Sequence, residues 1–211
     1  MKLNDFLKEV HENAVAHGWW ETDRSIAEII VLIHSEWSEA LEEARAGRPM
    51  VWYKCSEGSG VLYDICNPSD VGDCLNYGKE NQCEYRDTKP EGIAVELMDG
   101  AIRILDLCGR YSYRFKYGTV RQLEAGISRE NPGFRKDMPL ADALQHLHQI
   151  TAIAGGGMIR TGDVKVGLGA LELCAGVAIW WVRQQGLDPE KLLREKHEYN
   201  KTRPYKHGKK F

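Results

Sequence analysis

Apolar residues recur at helical spacing through most of this chain, except between residues 49 and 90. A period of 3.6 residues is typical of helices that bury one face against neighbouring helices. Asn4 is a candidate N-cap for the first helix, and Asp23 or Ser25 for the second. The pattern therefore indicates an all-α helical bundle, with helices predicted at residues 3–16, 23–47, 92–109, 139–154, 163–185 and 188–199.

Residues 49–90 are rich in Gly, Ser, Asn and Asp, and they have no sustained helical period. Such composition is typical of turns and loops rather than of regular elements. We expect an irregular insertion within a single domain that covers residues 1–211, followed by a basic C-terminal tail at residues 200–211.

Two pairs of acidic residues interrupt strongly apolar helical patterns. Glu36 and Glu39 lie in HSEWSEALEEAR, and Glu96 and Asp99 lie in AVELMDGAIRILDL. Residues three apart share a helix face, so packing these two helices together would bring four carboxylates to one point. Buried carboxylates repel unless a cation neutralises them, and oxygen ligands suit Mg²⁺. The alternative interpretation is two solvated helix faces, which acidic residues commonly form.

The chain also contains two stretches of weak internal similarity. Residues 32–40 align with 146–154, and residues 95–103 align with 171–179. In this alignment only one acidic residue keeps an acidic counterpart; the aligned positions are Glu36 with Ile150, Glu39 with Ile153, Glu96 with Glu172, and Asp99 with Ala175. A degenerate duplication and a chance likeness between amphipathic helices are both open, and a duplicate would have lost its metal site.

Four of the six cysteines lie in the predicted insertion, at Cys55, Cys66, Cys74 and Cys83. Four thiolates can hold a structural Zn²⁺ tetrahedrally, but the insertion contains no CxxC pair, which zinc sites usually have. Free thiols and disulfides are the alternatives. Cys108 and Cys174 lie in apolar helical patterns and are expected to be buried.

The formal net charge of −3 gives no reason to expect a nucleic-acid partner. No stretch is as long and apolar as a membrane span requires, although VGLGALELCAGVAIWWV comes closest. We therefore expect a cytoplasmic protein without a membrane partner, and reduced cysteines.

With the tail KHEYNKTRPYKHGKK, the two acidic pairs resemble the MazG-like all-α nucleotide pyrophosphohydrolases, a group that includes dimeric dUTPases and dCTPases. The opening HENAVAHGWWE and the segment KPEGIAVEL are similar to those of small members. The likeness covers most of residues 1–109 and 188–211 and is weaker over residues 110–187. It implies a bundle of the all-α NTP pyrophosphatase type, and we expect a homodimer.

The resemblance also implies an activity. Such enzymes hydrolyse a nucleoside triphosphate to the monophosphate and pyrophosphate with Mg²⁺, for which Mn²⁺ can substitute, and we favour a dNTP as substrate. By position, the catalytic metal ligands would be Glu36, Glu39, Glu96 and Asp99. One of the glutamates would act as the general base that activates the attacking water.

Candidate substrate-binding residues come mainly from the basic C-terminal segment. Lys196 and Asn200 are one helical turn apart, so both can face a metal-bound triphosphate. Either Trp19 or Trp20 is a candidate wall for the nucleobase, whereas core packing is the better interpretation of Trp37. The predicted substrate-binding set is Lys196, Tyr199, Asn200, Arg203, His207 and Trp20.

Two other functions compete with this interpretation. Di-iron carboxylate bundles also gather acids between helices, but they use ExxH motifs, and here Glu39 and Asp99 stand where the histidines would be. A non-catalytic scaffold whose cysteine-containing insertion binds a protein or nucleic acid is the second alternative. The four acidic residues argue against it, because an inactive bundle gains nothing from mutually repelling carboxylates.

Overall fold

The computed structural model describes residues 1–56, 62–66, 89–131 and 133–208, with the backbone alone for residues 54–56, 62–66 and 207–208. The described chain is mostly helical, which confirms the predicted fold class at that level. Its α-helices are α1 Leu3–Ala16, α2 Ile26–Arg45, α3 Ile93–Arg110, α4 Val120–Glu130, α5 Leu140–Thr161, α6 Lys165–Gln184 and α7 Pro189–Thr202.

Four helices form the centre of the fold as two adjacent pairs. α2 packs against α3, and α5 packs against α6, while α2 also contacts α5 and α3 contacts α6. α1 and α7 lie on α3, and α4 lies on α6. Burial of apolar side chains between these helices is the main stabilising contribution; fully buried residues include Trp37, Leu97, Ile104, Leu171 and Val177.

The predicted helix starts were partly right. Ser25 is the N-cap of α2, where its hydroxyl accepts a hydrogen bond from the backbone N–H of Glu28 at 3.1 Å. Asn4 is not a cap, because α1 already begins at Leu3 and the Asn4 side chain bonds the backbone of Phe115. That contact joins α1 to the segment that follows α3.

Contrary to the expectation from the sequence, one helix, α6, has the length and mean hydropathy of a membrane span, with 72% of its most apolar window buried inside the protein. A helix that packs against α3, α4 and α5 must be apolar on nearly all sides. Its hydropathy therefore has an explanation within the fold.

Part of the predicted irregular insertion forms a sheet, which corrects that prediction. Strands β1 Trp52–Ser56, β2 Leu62–Cys66 and β3 Lys89–Glu91 are antiparallel, in the order β2-β1-β3. Trp52 pairs with Glu91 and Tyr53 with Pro90, so the two ends of the insertion lie side by side. Alternation of side chains was too brief in these strands to stand out against the surrounding Gly and Asn.

The described part of the structure does not test the zinc hypothesis. Cys55 lies on β1 and Cys66 on β2, where only the backbone is described. Cys74 and Cys83 lie outside the described residues. The two helical cysteines, Cys108 and Cys174, are fully buried as expected.

Backbone contacts fix the start of α3 to the segment that follows α2. Ala94 N–H donates to the carbonyl of Met50 at 2.9 Å, and Gly92 has a φ of 108°. A Cβ at Gly92 would lie 2.8 Å from the carbonyl oxygens of Pro49 and Met50, so only glycine fits both the angle and the space. This junction holds Glu96, in the first turn of α3, against α2.

Close contact between α2 and α3 depends on a second glycine. A Cβ on Gly100 would lie 2.2 Å from the indole of Trp37, so the ring occupies the space that any side chain would need. Trp37 is itself fully buried, as predicted, and its Nε1 donates to Thr151 on α5 at 3.1 Å. One indole therefore sets the distance between the two helices that carry the acidic pairs.

Candidate metal centre and adjoining cleft

Three of the four predicted ligands come together where α2 packs on α3. Carboxylate oxygens of Glu36, Glu39 and Glu96 all lie within 4.8 Å of one another. Glu36 and Glu96 are buried, whereas Glu39, three residues further along α2, is exposed to solvent. The cluster thus has an enclosed side formed by two acids and an open side next to the third.

Asp99, the fourth predicted ligand, lies beside this cluster with its carboxylate held by α7. Its Oδ2 is 3.2 Å from Nζ of Lys196, and its Oδ1 accepts from Nδ2 of Asn200 at 3.4 Å. Burial opposes the charge on Asp99, but Lys196 and Arg103 outweigh this and lower its pKa. Asp99 is therefore an ionised carboxylate within the same acidic region.

Lys196 is buried with 1% of its surface exposed, which differs from its predicted position facing the phosphates. Besides Asp99, its ammonium lies 4.0 Å from Glu96 and donates to the carbonyl of Pro90 at 3.5 Å. Burial alone would lower the pKa of Lys196, but the carboxylates outweigh it and raise the pKa. The lysine is a fixed positive charge behind the acidic cluster.

Arg103 is a site residue that the sequence argument missed. Its Nε donates to Oε1 of Glu36 at 2.5 Å, and about a third of its side chain is exposed. It lies four residues after Asp99 and therefore on the same face of α3. That spacing, in a helix with few other polar residues, was the signal that could have identified it.

The two buried glutamates resist ionisation. Burial raises the pKa of Glu36 to about 7, although the guanidinium of Arg103 acts in the opposite direction. Burial also raises the pKa of Glu96 to about 9, again with an opposing effect from Lys196. Nearby carboxylates add to both shifts, and a divalent cation between them would remove this repulsion.

A cleft of about 580 Å³, part of it open solvent, adjoins the acidic cluster. It lies between α1, α3, α7 and the segment after α1, and it begins at Asp99 and Arg103. Its polar and aromatic lining residues also include Asn13, Trp19, Arg24, Asp106, His197, Asn200 and Arg203. The cleft thus connects the carboxylates to an aromatic and basic surface.

Trp19 lines this cleft, while Trp20, the predicted base-binding residue, is not among the residues that line it. Nε1 of Trp20 donates to Oδ1 of Asp106 at 2.8 Å, and His11 Nδ1 lies 2.8 Å from the same oxygen. Arg24 lies over both indoles, 5.4 Å from the Trp19 ring and 5.7 Å from the Trp20 ring. Trp20 therefore fixes the cleft wall rather than forming its surface.

Three buried polar atoms on α7 have no hydrogen-bond partner among the described residues, namely Oε2 of Glu195, Nε2 of His197 and Oδ1 of Asn200. Nε2 of His197 lies 3.4 Å from Oε1 of Glu9. Buried polar atoms without partners are unfavourable and uncommon. Asn200 and His197 line the cleft, so a ligand there can provide the missing partner for the amide oxygen of Asn200.

The remaining predicted substrate residues have different positions. Arg203 lines the cleft, with its guanidinium 6.0 Å from the ring of Tyr199. Tyr199 is half-buried beside it and is not a lining residue. His207 lies in a short 3-10 helix, Tyr205–Gly208, and its side chain is not described.

The C-terminal segment described up to residue 208 is folded onto α1 rather than free. Lys206 N–H donates to the carbonyl of His17 at 3.0 Å, and the Tyr205 hydroxyl donates to Glu21. These contacts bring the residues after α7 to the rim of the cleft.

In the second helix pair, Glu172 is buried like its aligned counterpart Glu96, but its surroundings differ. The hydroxyl of Tyr113 donates to Oε2 of Glu172 at 2.8 Å, and Tyr117 N–H donates to Oε1 at 3.4 Å. Ala175 is buried, and Ile153 is exposed at the surface. Glu172 therefore has protein partners in place of a cation.

The donor set around Glu36, Glu39 and Glu96 fits Mg²⁺. All the side-chain donors are oxygens, they come from two rigid helices, and the exposed side next to Glu39 leaves room for water or phosphate oxygens. Four carboxylates and two cationic groups meet there, so full ionisation leaves an excess of negative charge that a divalent cation would neutralise. No protein-family model, curated protein or solved structure matches the chain. The fold and site define a mostly helical protein with a buried acidic cluster at the end of a cleft.

Proposed function

We propose that this protein hydrolyses a nucleoside triphosphate, with a dNTP as the favoured substrate, to the monophosphate and pyrophosphate in the presence of Mg²⁺. The observation that carries the proposal is the convergence of Glu36, Glu39 and Glu96 next to Asp99 and Arg103, which line a cleft together with an indole and further cationic groups. On this proposal the bundle is of the MazG-like type, and Mn²⁺ can replace Mg²⁺.

Glu36, Glu39 and Glu96 would hold the cation, and Asp99 would join them or orient its waters. Bound Mg²⁺ would polarise the scissile phosphate and lower the pKa of a coordinated water. Lys196 keeps Asp99 ionised and balances part of the charge, so the acids stay close together. One of the glutamates accepts the proton from the attacking water.

The cleft supports a nucleoside as the other part of the substrate. Trp19 offers an aromatic face on which a base can stack, and Arg203 offers a forked donor beside it. Asn200 has an unpartnered acceptor oxygen in the same cleft, and its amide nitrogen contacts Asp99. A single ligand that spans base, sugar and phosphates would contact all of these groups.

The alternative, a non-catalytic scaffold, is less well supported. A scaffold needs no cluster of three carboxylates within 4.8 Å of one another, two of them buried, because such a cluster lowers stability unless a cation is bound. The part of the insertion that the structure describes is a small sheet, which gives no independent support for a binding role.

The test is pyrophosphate release from a panel of NTPs and dNTPs with Mg²⁺, comparing wild type with Glu96→Gln. Gln has the shape of a protonated glutamate, which suits a residue whose pKa is raised by burial, so we expect the variant to fold. We expect loss of hydrolysis by about 100-fold or more, as for other groups that stabilise charge in the transition state.

Glu172→Gln is the matched control, since it makes the same change at the aligned buried position outside the cleft. It should retain wild-type hydrolysis. If wild type releases no pyrophosphate from any nucleotide, or if Glu96→Gln is as active as wild type, the proposed function is wrong.

A further inference from the structure

We propose that Arg103 is a phosphate-binding residue, which holds Glu36 with Nε and binds the substrate's polyphosphate with its two terminal nitrogens. The inference rests on the proposed function for its substrate class, a polyphosphate bound next to a divalent cation. It adds a cationic residue on α3, outside the basic C-terminal segment to which the sequence analysis assigned phosphate recognition.

The two terminal nitrogens of the Arg103 guanidinium are available to bind a ligand. Only Nε of Arg103 donates to Glu36, and the two terminal nitrogens have no hydrogen-bond partner among the described residues. They are not buried, since about a third of the side chain is exposed. Arg103 lines the cleft together with Asp99, so its guanidinium lies between the acidic cluster and the aromatic and basic surface of the cleft.

The ion pair with Glu36 also fixes the orientation of the guanidinium. An arginine held at Nε presents its two terminal N–H groups as a rigid fork, which matches two oxygens of a phosphate. Glu36 has a second carboxylate oxygen that remains available for a cation. One glutamate can therefore hold both the cation and the arginine, and bring them to the same polyphosphate.

The two cationic residues of the site have different roles on this view. Lys196 is almost fully enclosed and its ammonium contacts Asp99, Glu96 and a backbone carbonyl, so it has no free side toward the cleft. Arg103 is the cation of the cluster that reaches the cleft surface.

During hydrolysis, a water oxygen bonds to the attacked phosphorus, the bond from that phosphorus to the bridging oxygen breaks, and the water proton passes to a carboxylate. The leaving pyrophosphate or nucleoside monophosphate gains negative charge as that bond breaks. Arg103 stabilises this charge through hydrogen bonds and takes no part in the covalent changes.

The first measurement is binding without hydrolysis, with Mn²⁺ alone and then with inorganic tripolyphosphate plus Mn²⁺. For Arg103→Met we expect Mn²⁺ alone to bind about tenfold more tightly, because a positive charge next to the carboxylates is removed. Tripolyphosphate should bind about tenfold more weakly, because its forked donor is lost. Opposite changes in the two affinities separate this role from simple damage to the fold.

The second measurement is pyrophosphate release. Arg103→Met should lower kcat by about 100-fold, while Arg103→Lys, which keeps the charge but not the fork, should be intermediate and bind Mn²⁺ as wild type does. Arg183→Met is the matched control: Arg183 donates from Nε to Glu124 at 2.9 Å and is 35% exposed, but it lies on α6 away from the cleft.

Weaker binding of both Mn²⁺ and tripolyphosphate by Arg103→Met would overturn the proposal, since that result indicates a structural role. Unchanged tripolyphosphate affinity and kcat would overturn it as well. If wild type hydrolyses no nucleotide, the proposed function fails, but the two binding measurements still decide whether Arg103 binds phosphate.

Discussion

His34 and His148 stack across the contact between α2 and α5, with ring planes 9° apart and their Nδ1 atoms separated by 2.8 Å. These histidines occupy equivalent positions when residues 32–40 are aligned with 146–154. Trp37 and Thr151 are equivalent in the same alignment, and they too are hydrogen-bonded to each other. Around a two-fold axis, residues near the axis contact their own equivalents. The contacts therefore favour duplication over chance similarity between the helix pairs.

The histidine pair predicts a pH-dependent stability. Burial lowers the pKa of His148 below its ordinary value of 6.5, so the unfolded chain binds a proton more readily than the folded one. The contribution of His148 to the free energy of unfolding should therefore fall as the pH drops below about 6.5 and be fully present above that pH. Urea denaturation of wild type and His148→Gln between pH 5 and 8 measures this. The difference in the free energy of unfolding between the two proteins should change over this pH range, and parallel curves would contradict the prediction.

Lys196→Met should destabilise the protein by about 3 kcal/mol in chelator, because breaking a buried ion pair leaves its partner uncompensated. Here the partners are Asp99 and Glu96, which then lie together without their nearest cation. Added Mg²⁺ should recover part of the loss if it binds those carboxylates. Urea denaturation with and without Mg²⁺ checks both statements.

The control for this change is Lys201→Met, since Lys201 pairs with Glu9 and Glu198 at the surface of the same helix. Surface pairs contribute less than about 1 kcal/mol. Equal losses of stability for the two lysine variants would show that the buried ion pair contributes no more than the surface pair.

Gly100→Ala should destabilise the protein by about 2 kcal/mol, because its methyl group would overlap the indole of Trp37 and force α2 and α3 apart. Gly156→Ala is the matched change in α5, where a Cβ meets nothing within 4 Å, and it should stabilise by about 0.5–1 kcal/mol. Thermal unfolding of both variants gives the comparison. A Gly100→Ala variant as stable as wild type would mean that Trp37 can move aside at little cost.

Asp106→Ala removes the acceptor that Trp20 and His11 share in the cleft wall. We expect KM for the best nucleotide to rise on the order of tenfold with little change in kcat, because the variant disturbs the aromatic and basic surface of the cleft and not the acidic cluster. Steady-state kinetics measures both constants. Asp142→Ala, at an exposed position in α5, serves as the control, and a fall in kcat alone for Asp106→Ala would contradict the assignment.

Most of the helical fold could be predicted because long amphipathic helices repeat their pattern over several turns. The helix α4 escaped prediction, since it is only 11 residues long and buries Val120, Leu123 and Ile127 on a narrow stripe. The sheet escaped because its strands have three to five residues each. Short elements owe their structure to tertiary contacts, which a local pattern does not contain.

The site was predictable only in part, for a similar reason. Helical spacing was enough to find Glu36, Glu39 and Glu96, because their side chains meet across one helix contact. The burial of Lys196 against Asp99 depends on how α7 packs on α3, which no spacing within either helix determines. Which of the two indoles, Trp19 or Trp20, lines the cleft likewise depends on the conformation of the turn after α1.

The pairing of β1 with β3 has an evolutionary consequence. Residues 52–54 lie directly beside residues 89–91, so the polypeptide leaves the helical framework and returns to it at neighbouring points. Insertions or deletions between those points need not alter the spacing of α2 and α3, which Gly92 and Gly100 maintain independently. The chain can therefore change its length here without moving the acidic cluster between α2 and α3.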